Sequence, residues 1–400
     1  MTTTTDTMPS FLDAWQNPRT FDAVCHVLQR RPRRLVLERT HFPGNRPVQL
    51  VLRADMADGS FKTLFAEHCP HDTRAHADQA RASLFKSRNG QRSGLDDRAI
   101  HVVDGSGLIL RRPGLDERLP GLRLLHDPSF ARERFQNLIG RDPGRFDVEL
   151  VAHRLGKRAV LRATLPDRTF YVRLRVIKSN DGQDRLLRHR TLWNNLGDQP
   201  DLRIPEPLGS MPEIGASFFG VLPGVMPEFH SAHSAATARA ISNLQGLALD
   251  GLPVHTGGDE AAILLEWLAR CYRWKPQLAD HLAEPVAEVS AALARNDTPR
   301  RPCHRDLHEK QILISGGVAG LLDFDTLCLS DPALDAGNLL AHFFLSGINE
   351  GPLRSQLKAR GIALWRRATL LRLAMIYAFS AAPDAAVDRL IKEARRDARD

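Results

Sequence analysis

The chain has 400 residues, of which 42% are hydrophobic and 26% are charged, and its formal net charge is +8. This composition is typical of a globular protein that can bury a large core without disulfides or structural metals. No apolar run approaches the ~20 residues of a membrane-spanning helix, and no secretory signal is visible at the start. The five cysteines lie far apart without zinc-ligand spacing, which is typical of reduced thiols in a cytoplasmic protein.

The positive charge does not by itself indicate nucleic-acid binding. Arginines are spread along the chain with acidic residues interleaved among them, whereas a nucleic-acid site usually concentrates its basic residues on one face. A nucleotide triphosphate would account for part of the charge. We therefore expect neither a nucleic-acid partner nor a membrane partner.

The N-terminal part is predicted to begin with helix over residues 1–30 and to continue as a small antiparallel sheet. The predicted elements are strands at Arg34–Thr40, Val48–Arg53 and Phe61–Glu67, turns at Gly44–Asn45 and Asp58–Gly59, a helix at His71–Ser87, a loop at Gln91–Asp97, and two short strands within Ile100–Leu110.

A similar order of elements then recurs. Strands are predicted at Phe146–Leu155, Ala159–Leu165 and Phe170–Val176, followed by a helix at Gly182–Leu196. The glycines of two turns, Gly44 and Gly156, lie 112 residues apart, and Phe61 and Phe170, each opening a third strand, lie 109 apart. We therefore predict that residues 30–115 are a degenerate copy of residues 145–225. Chance similarity between short β-rich stretches is the alternative.

From about Pro227 onward the sequence predicts mostly helices, with one embedded hairpin. Strands followed by helices favour an α+β fold over a doubly wound parallel sheet. The hairpin covers Gln311–Asp325 and turns at Gly316–Gly317. The predicted helices are His233–Leu249, Asp259–Arg273, Ala287–Arg295, Leu353–Phe379 and Ala385–Arg396.

The segment from Cys303 to His342 carries an ordered set of motifs: H-x-D-x4-Q, the hairpin, D-F-D and S-D-P-x2-D. This set resembles the catalytic and metal-binding segment of the aminoglycoside phosphotransferase/choline kinase family, which commonly reads H-G-D-x-H-x2-N, I-D-[WF]-[ED] and G-D-P-x2-D. The resemblance extends over residues 145–380 and does not cover 1–140. It implies a protein-kinase-like bilobal fold, with an extra N-terminal α+β domain over 1–140, a small antiparallel β lobe over 141–225 and a helical lobe over 226–400.

The resemblance implies ATP-dependent phosphate transfer to a hydroxyl of a small molecule, and the residue chemistry agrees. Phosphoryl transfer requires mainly positioning and charge neutralisation. Asp306 would align the hydroxyl and accept its proton, while Gln311 and Asp323 would offer oxygen ligands to Mg²⁺. A two-stranded hairpin brings its ends together, so we expect these three side chains to converge.

Two positions of the catalytic loop depart from the family pattern. Gln311 replaces the usual Asn and carries its amide oxygen one methylene further out, and Arg305 replaces the usual Gly, as in the H-R-D of a protein kinase. We expect His304 to bond the backbone near Asp323 rather than act as a base. The other supporting candidates are His308 and Lys310 near substrate or in solvent, Asp325 at a second metal or within its loop, and Asp331 and Asp335 as loop anchors, with Asp335 starting a helix.

The nucleotide side of the predicted site has no G-x-G-x-x-G motif. The turn at 155–158 lies where the family has a short phosphate loop. Gly156 would allow close backbone approach, and Lys157 and Arg158 would supply charge. A plain hairpin turn is the alternative interpretation.

By the resemblance, Arg173 takes the position of the family's ATP-phosphate lysine, and Arg can still neutralise phosphate. The acidic residue that usually orients this cation falls on His189, and no Glu occurs in 182–196. The stretch 217–224 resembles the hinge between the lobes, where Phe219 and Val221 would form apolar walls for adenine. A buried strand would look similar.

The sequence leaves several functions open. The leading hypothesis is a kinase acting on a sugar, an amino sugar or an amino alcohol, and the motif variant also resembles the maltose and trehalose kinases of the same superfamily. The first alternative is a degenerate kinase that binds nucleotide or a partner, which the positions of His189 and Gln311 favour. The second is an atypical protein kinase, but no D-F-G…A-P-E segment is present.

Overall fold

The computed structural model describes residues 9–42, 46–87, 98–177, 181–197, 199–380 and 384–396. The chain divides into two compact units. The first unit comprises residues 1–182, 208–219 and 379–381, and the second comprises 183–207, 220–378 and 382–400. Across these described ranges, no helix combines the length and the apolar character that crossing a bilayer demands.

The first unit contains both helices and strands, and the second unit is mainly helical. The helices are α1 Pro9–Gln16, α2 Pro18–Leu28, α3 Thr73–Ser87, α4 Arg123–His126, α5 Pro128–Ile139, α6 Asp181–Leu196, α7 Ser231–Gly246, α8 Gly257–Trp274, α9 Pro276–Ala294, α10 Ala333–Ser346, α11 Gly351–Arg354, α12 Ile362–Tyr377 and α13 Asp384–Arg396. The strands are β1 Arg34–His41, β2 Val48–Asp55, β3 Phe61–His68, β4 Ile100–Val103, β5 Leu108–Arg111, β6 Asp147–Arg154, β7 Arg158–Thr164, β8 Thr169–Arg175, β9 Leu202–Arg203, β10 Pro207–Met211, β11 Ala216–Gly220, β12 Arg301–Cys303, β13 Ile312–Ser315, β14 Val318–Leu321 and β15 Cys328–Ser330.

The first unit is built around two five-stranded sheets. The first sheet has the order β1-β2-β3-β5-β4, and the second has the order β10-β11-β8-β7-β6. Alternation of apolar residues gives the second sheet one buried face, whereas β3 and β5 of the first sheet are buried on both faces. Helix α2 covers the first sheet with Val24 and Val27 against Leu50 and Leu52. Helix α5 covers the second, where the rings of Phe135 and Phe170 meet edge to face at 5.3 Å.

The second unit is mainly helical and contains two small groups of strands. Strands β13 and β14 form an antiparallel hairpin, and β9 adds to β14 in parallel. Strands β12 and β15 pair antiparallel. Helix α8 begins at a capping box in which Thr256 and Asp259 bond each other's backbone N–H groups. A core that includes Leu307, Phe324 and Phe343 packs the loops around the hairpin against α7 and α10.

Most predicted elements are present, and the predicted α+β architecture is confirmed. The predicted helix Leu353–Phe379 is wrong as one element, because α11 ends at Arg354 and α12 begins only after Gly361, whose φ is 83°. Helix α9 begins at Pro276, eleven residues before the predicted Ala287. The predicted turn at Gly44–Asn45 and loop at Gln91–Asp97 lie outside the described residues.

Candidate active site

The hairpin of the second unit places two of the predicted site residues side by side. Ile312 pairs with Leu321 at the open end of the hairpin, and the Leu322 N–H donates to the Gln311 carbonyl at 2.9 Å. Asp323 follows Leu322 directly. The two proposed magnesium ligands therefore flank the base of one β ribbon, because antiparallel pairing joins its ends.

His304 ties the catalytic loop to the loop that contains Asp323. Its Nε2 lies 2.7 Å from the Leu322 carbonyl oxygen, and its own carbonyl accepts a bond from the Thr326 hydroxyl at 2.8 Å. Nε2 faces a carbonyl, so it carries a proton and donates it. The His304 ring also packs against Phe324, with ring centroids 4.8 Å apart. Asp306, two residues further, therefore starts from a loop that is held against the D-F-D segment.

Asp335, on α10, anchors the same loop through its side chain. This carboxylate is 0% exposed, and it accepts the backbone N–H groups of His304 at 2.8 Å and Arg305 at 2.7 Å. Burial raises the pKa of the Asp335 carboxyl, and the neighbouring His304 opposes that rise. Asp331, four residues earlier, accepts the Ala333 N–H at 2.8 Å and so holds the backbone where α10 begins.

Two residues of the site have left-handed backbone conformations. Arg305 has φ 72°, and Asp323 has φ 66° and ψ 57°. A side chain in this region costs roughly 1–2 kcal/mol, which explains why a Gly is common at the position of Arg305 in the family that the motif resembles. Such strain persists where the surroundings over-determine it, and here the two bonds to Asp335 hold the loop.

The oxygens around the hairpin suit a magnesium ion that is shared with phosphates. The Gln311 side chain is 6% exposed, and its Oε1 is buried without a hydrogen-bond donor among the described residues. Asp323 and Asp325 are half-buried, and Asp306 is exposed. The described part of the chain has no group of three or more His, Cys, Asp and Glu residues that could hold a metal. Mg²⁺ is commonly bound through one or two protein oxygens plus phosphates and water, so these residues fit it.

His308 is the cap of a short helical turn rather than a solvated loop residue. Its Nδ1 accepts the Lys310 N–H at 3.3 Å, and its ring lies 5.1 Å from the ring of His342. Burial is the main cause that lowers the pKa of His308. Lys310 is exposed.

A buried polar network supports the catalytic loop, and sequence reasoning missed it. The Asn338 amide donates to the Leu307 carbonyl at 2.8 Å, and Arg372 donates to the Asn338 oxygen at 2.7 Å. Arg372 also pairs with Glu260, which lies 3.0 Å from His255. Burial alone would raise the pKa of Glu260, but Arg372 and His255 lower it. Glu260, Asn338 and Arg372 come from three separate helices, and His255 and Leu307 lie in loops, so no local spacing reveals the network.

On the nucleotide side, the turn after β6 uses its glycine differently from the prediction. Gly156 has φ 63°, which favours glycine. Its N–H donates to the buried carboxylate of Asp116, and its carbonyl accepts Arg46 at 3.4 Å. This N–H is therefore committed within the protein. Lys157 is exposed and Arg158 is half-buried.

The register of the second sheet shows a row of arginines beside this turn. Arg154 pairs with Arg158, which pairs with Arg175, and two rows further, on the same face, Val160 pairs with Arg173. Directly opposite residues share a face of the sheet, where like charges repel. Burial is the largest cause that lowers the pKa of Arg154, and the positive charges of Arg158 and Arg39 lower it further. A face with this charge suits a phosphate-bearing ligand.

Two contacts within the first unit involve the arginines of this face. His41 Nδ1 lies 3.4 Å from an Arg154 nitrogen, and burial together with nearby cations lowers the pKa of His41 to about 3. The Arg173 guanidinium lies 5.2 Å from the centre of the Phe219 ring. The sequence singled out Arg173 but missed Arg154 and Arg175, because only the register aligns them.

The predicted hinge coincides with the division between the two units, which falls after Phe219. Phe219 is buried, whereas Val221 is 47% exposed. His189, at the position predicted for the acidic partner of Arg173, belongs to the second unit. Its Nε2 lies 2.7 Å from the Pro205 carbonyl, and its ring lies 5.8 Å from Phe324.

Comparison with known proteins gives a family and a fold. The family model described as APH, phosphotransferase enzyme family, matches residues 91–371. No curated protein matches the chain. A choline/ethanolamine kinase family protein from Mesorhizobium loti is similar in structure, with a TM-score of 0.51, 16% identity, and coverage of 68% of this chain and 94% of that chain. Amicoumacin kinase hAmiN, in complex with AMP-PNP, Ca²⁺ and Ami, has a TM-score of 0.50, 13% identity, and coverage of 69% and 94%.

Proposed function

Because the chain belongs to the phosphotransferase enzyme family, we propose that it transfers the γ-phosphate of ATP to a hydroxyl group of a small molecule. The predicted family, the protein-kinase-like fold and the assignment as a phosphotransferase are confirmed. The observation that carries the proposal is the pair of ties around the catalytic loop. Asp335 holds the backbone before Asp306, and His304 joins that loop to the residue before Asp323.

Asp306 is proposed as the catalytic residue. The substrate hydroxyl oxygen attacks the γ-phosphorus, the bond from that phosphorus to the β,γ-bridging oxygen breaks, and ADP leaves with its electrons. Asp306 orients the hydroxyl and accepts its proton late in the reaction. Its exposure leaves the carboxylate accessible to a substrate.

Gln311 and Asp323 are proposed to hold Mg²⁺, and Asp325 lies beside them in the same loop. When bound, Mg²⁺ neutralises charge that develops on the transferred phosphate. The hairpin fixes the backbone of Gln311 through its carbonyl, and its Oε1 is buried without a hydrogen-bond donor among the described residues. The longer side chain of Gln therefore does not prevent a ligand role.

The arginine-rich face of the second sheet is proposed to bind the phosphates of the nucleotide. Arg173 and Arg158 are proposed in the roles expected from the sequence, and Arg154 and Arg175 are added because the strand register places them on the same face. Lys157 is exposed and adds a positive charge at the turn. Phe219 and Val221 are proposed to border the adenine.

The acceptor is proposed to be a sugar, an amino sugar or an amino alcohol. A second candidate function is a degenerate kinase that binds nucleotide without turnover. The contacts of His189 favour it, since this side chain faces the Pro205 carbonyl and Phe324 and brings no carboxylate to orient Arg173.

Turnover with Mg·ATP and a panel of such hydroxyl compounds tests the proposal, with ADP release as the measurement. Asp306→Asn should reduce kcat by ~100-fold or more, while the Kd for Mg·ATP changes less than threefold. Nucleotide binding without turnover on any acceptor would favour the degenerate kinase. An Asp306→Asn variant with full activity would contradict the role of Asp306.

A further inference from the structure

The two sheets of the first unit have the same topology. In each, three antiparallel strands are followed by a helix and then by two strands, and the last strand inserts beside the third. The orders β1-β2-β3-β5-β4 and β6-β7-β8-β11-β10 are therefore equivalent. Helices α3 and α6 occupy the same place in this order. A shared order of five strands is stronger support for duplication than the spacing of turns in the sequence.

The two sheets also share an irregularity in the first strand. The register shifts between Leu37 and Arg39 in the first sheet, and between Leu150 and Ala152 in the second. Each shift bypasses the fifth residue of an eight-residue strand. Because β-bulges are conserved within families, a register shift at the same place in both sheets supports duplication.

This bulge aligns the copies residue by residue. The first row after it is Arg39–Val51–Phe65 in one sheet and Ala152–Val160–Arg173 in the other. Phe65 is therefore the counterpart of Arg173. The sequence match of Phe61 with Phe170 is wrong by one residue, since Phe61 is 62% exposed and Phe170 is 0% exposed. The loop before β3 is one residue longer than the loop before β8.

The face of the first sheet that carries Phe65 is closed. Its residues Gln49, Phe65, Glu67 and Arg111, which we call the closed face, are all buried. Arg111 pairs with Glu67 at 2.9 Å and also with Glu117. The counterpart of Arg173, the cation proposed to bind phosphate, is an apolar ring that is 2% exposed. We therefore do not expect this sheet to be a second nucleotide site.

The closed face is instead in contact with the end of β6, next to the turn of the second sheet. The rings of Phe65 and His153 meet edge to face at 4.9 Å. Asp116, next to Glu117, accepts the Gly156 N–H and the Arg118 N–H and lies 3.2 Å from His153 Nε2. His153 accepts the Gly114 N–H through Nδ1, so its proton is on Nε2 and points at Asp116.

We propose that residues 34–111 are a duplicated nucleotide-lobe sheet that has become a clamp, and that its closed face and Asp116 position the β6–β7 turn for nucleotide phosphates. Fixing this turn holds Arg154 and Arg158, at its two ends, in the row with Arg175. Preorganised cations bind phosphate with less loss of conformational entropy. Asp116 is thus a positioning residue, and this role rests on the proposed function of the second sheet.

Asp116→Ala tests the clamp because it removes the acceptor of the Gly156 N–H. Arg46→Ala is a second variant, which removes the less buried donor to the Gly156 carbonyl. Asp58→Ala is the control, since Asp58 caps an exposed turn of the first sheet through Ser60. We expect Asp116→Ala to raise KM for ATP about tenfold, equivalent to about 1.4 kcal/mol, with less than a twofold change in kcat. Arg46→Ala should raise it about threefold, and Asp58→Ala should leave it unchanged.

Hydrogen exchange of the 154–158 amides separates positioning from general loss of stability. Exchange at Gly156 should accelerate in Asp116→Ala and not in Asp58→Ala, while amides of the second unit keep their rates. An unchanged KM for ATP in both Asp116→Ala and Arg46→Ala would overturn the proposal, as would two nucleotides bound per chain. If the wild-type protein neither binds nor turns over nucleotide, the proposed function fails. If the hydrogen-exchange rate of the Gly156 amide is unchanged in Asp116→Ala, the clamp fails even when the proposed function holds.

Discussion

Replacing Asp335 by Ala should release the catalytic loop, because its carboxylate is the acceptor for two consecutive backbone N–H groups. The bonds to His304 and Arg305 measure 2.8 and 2.7 Å, and the carboxylate is fully buried. Each buried donor left without a partner costs about 1–3 kcal/mol. Removal of a desolvated carboxylate, whose pKa burial raises, offsets part of this loss. We expect a net destabilisation of about 3 kcal/mol.

Urea unfolding and hydrogen exchange of the two amides measure this effect. A change of about 3 kcal/mol corresponds to roughly 100-fold faster exchange if the loop opens locally. We expect kcat to fall by ~100-fold as well, because Asp306 follows the released backbone. Asp335→Asn keeps one acceptor and should lose about half as much. The control is Asp201→Ala, which removes an exposed pair with Arg239 and should change stability by less than ~0.5 kcal/mol. Unchanged exchange and kcat in Asp335→Ala would refute the anchoring role.

Three further predictions use other parts of the structure. Gly337→Ala should cost about 2–3 kcal/mol in urea unfolding, since its Cβ would lie 2.6 Å from Trp365 Cβ, whereas Gly246→Ala meets nothing within 4 Å and should be neutral or slightly stabilising. The pKa values of His41 and His342 are lowered to about 3 in the folded protein. Between about pH 6.5 and pH 3 the unfolded chain therefore binds more protons than the folded chain. The free energy of unfolding should be highest above about pH 6.5 and should fall toward pH 3 by up to ~1.4 kcal/mol per pH unit for each ring. His342→Gln should reduce that slope in pH-dependent unfolding, and an unchanged slope would contradict the assignment. Arg154→Gln should weaken Mg·ATP binding about tenfold by calorimetry, while Arg162→Gln, which removes an exposed pair with Glu149 further along the sheet, should not; equal effects would contradict a localised phosphate site.

Much of the architecture was predictable from local sequence. Period-2 alternation and turn residues identified β1–β3 and β6–β8 to within a residue or two at their ends. The motif set around Asp306 identified the family, because its order and spacing are specific. The hairpin between Gln311 and Asp323 was predictable for the same reason, since a glycine pair between two short apolar runs leaves few other conformations.

Other features were decided only by the tertiary structure. The break at Gly361 lies inside a stretch with helical periodicity, so only the packing of α12 against α10 selects where that helix begins. The sequence suggested that Gly156 allows close backbone approach to phosphate, but it could not show that Asp116, forty residues earlier, accepts the Gly156 N–H. The arginine row exists only through strand register, which places Arg154 and Arg175 on one face. Local spacing determines which residues share a strand or helix, whereas burial and pairing between distant segments determine what each polar group contacts.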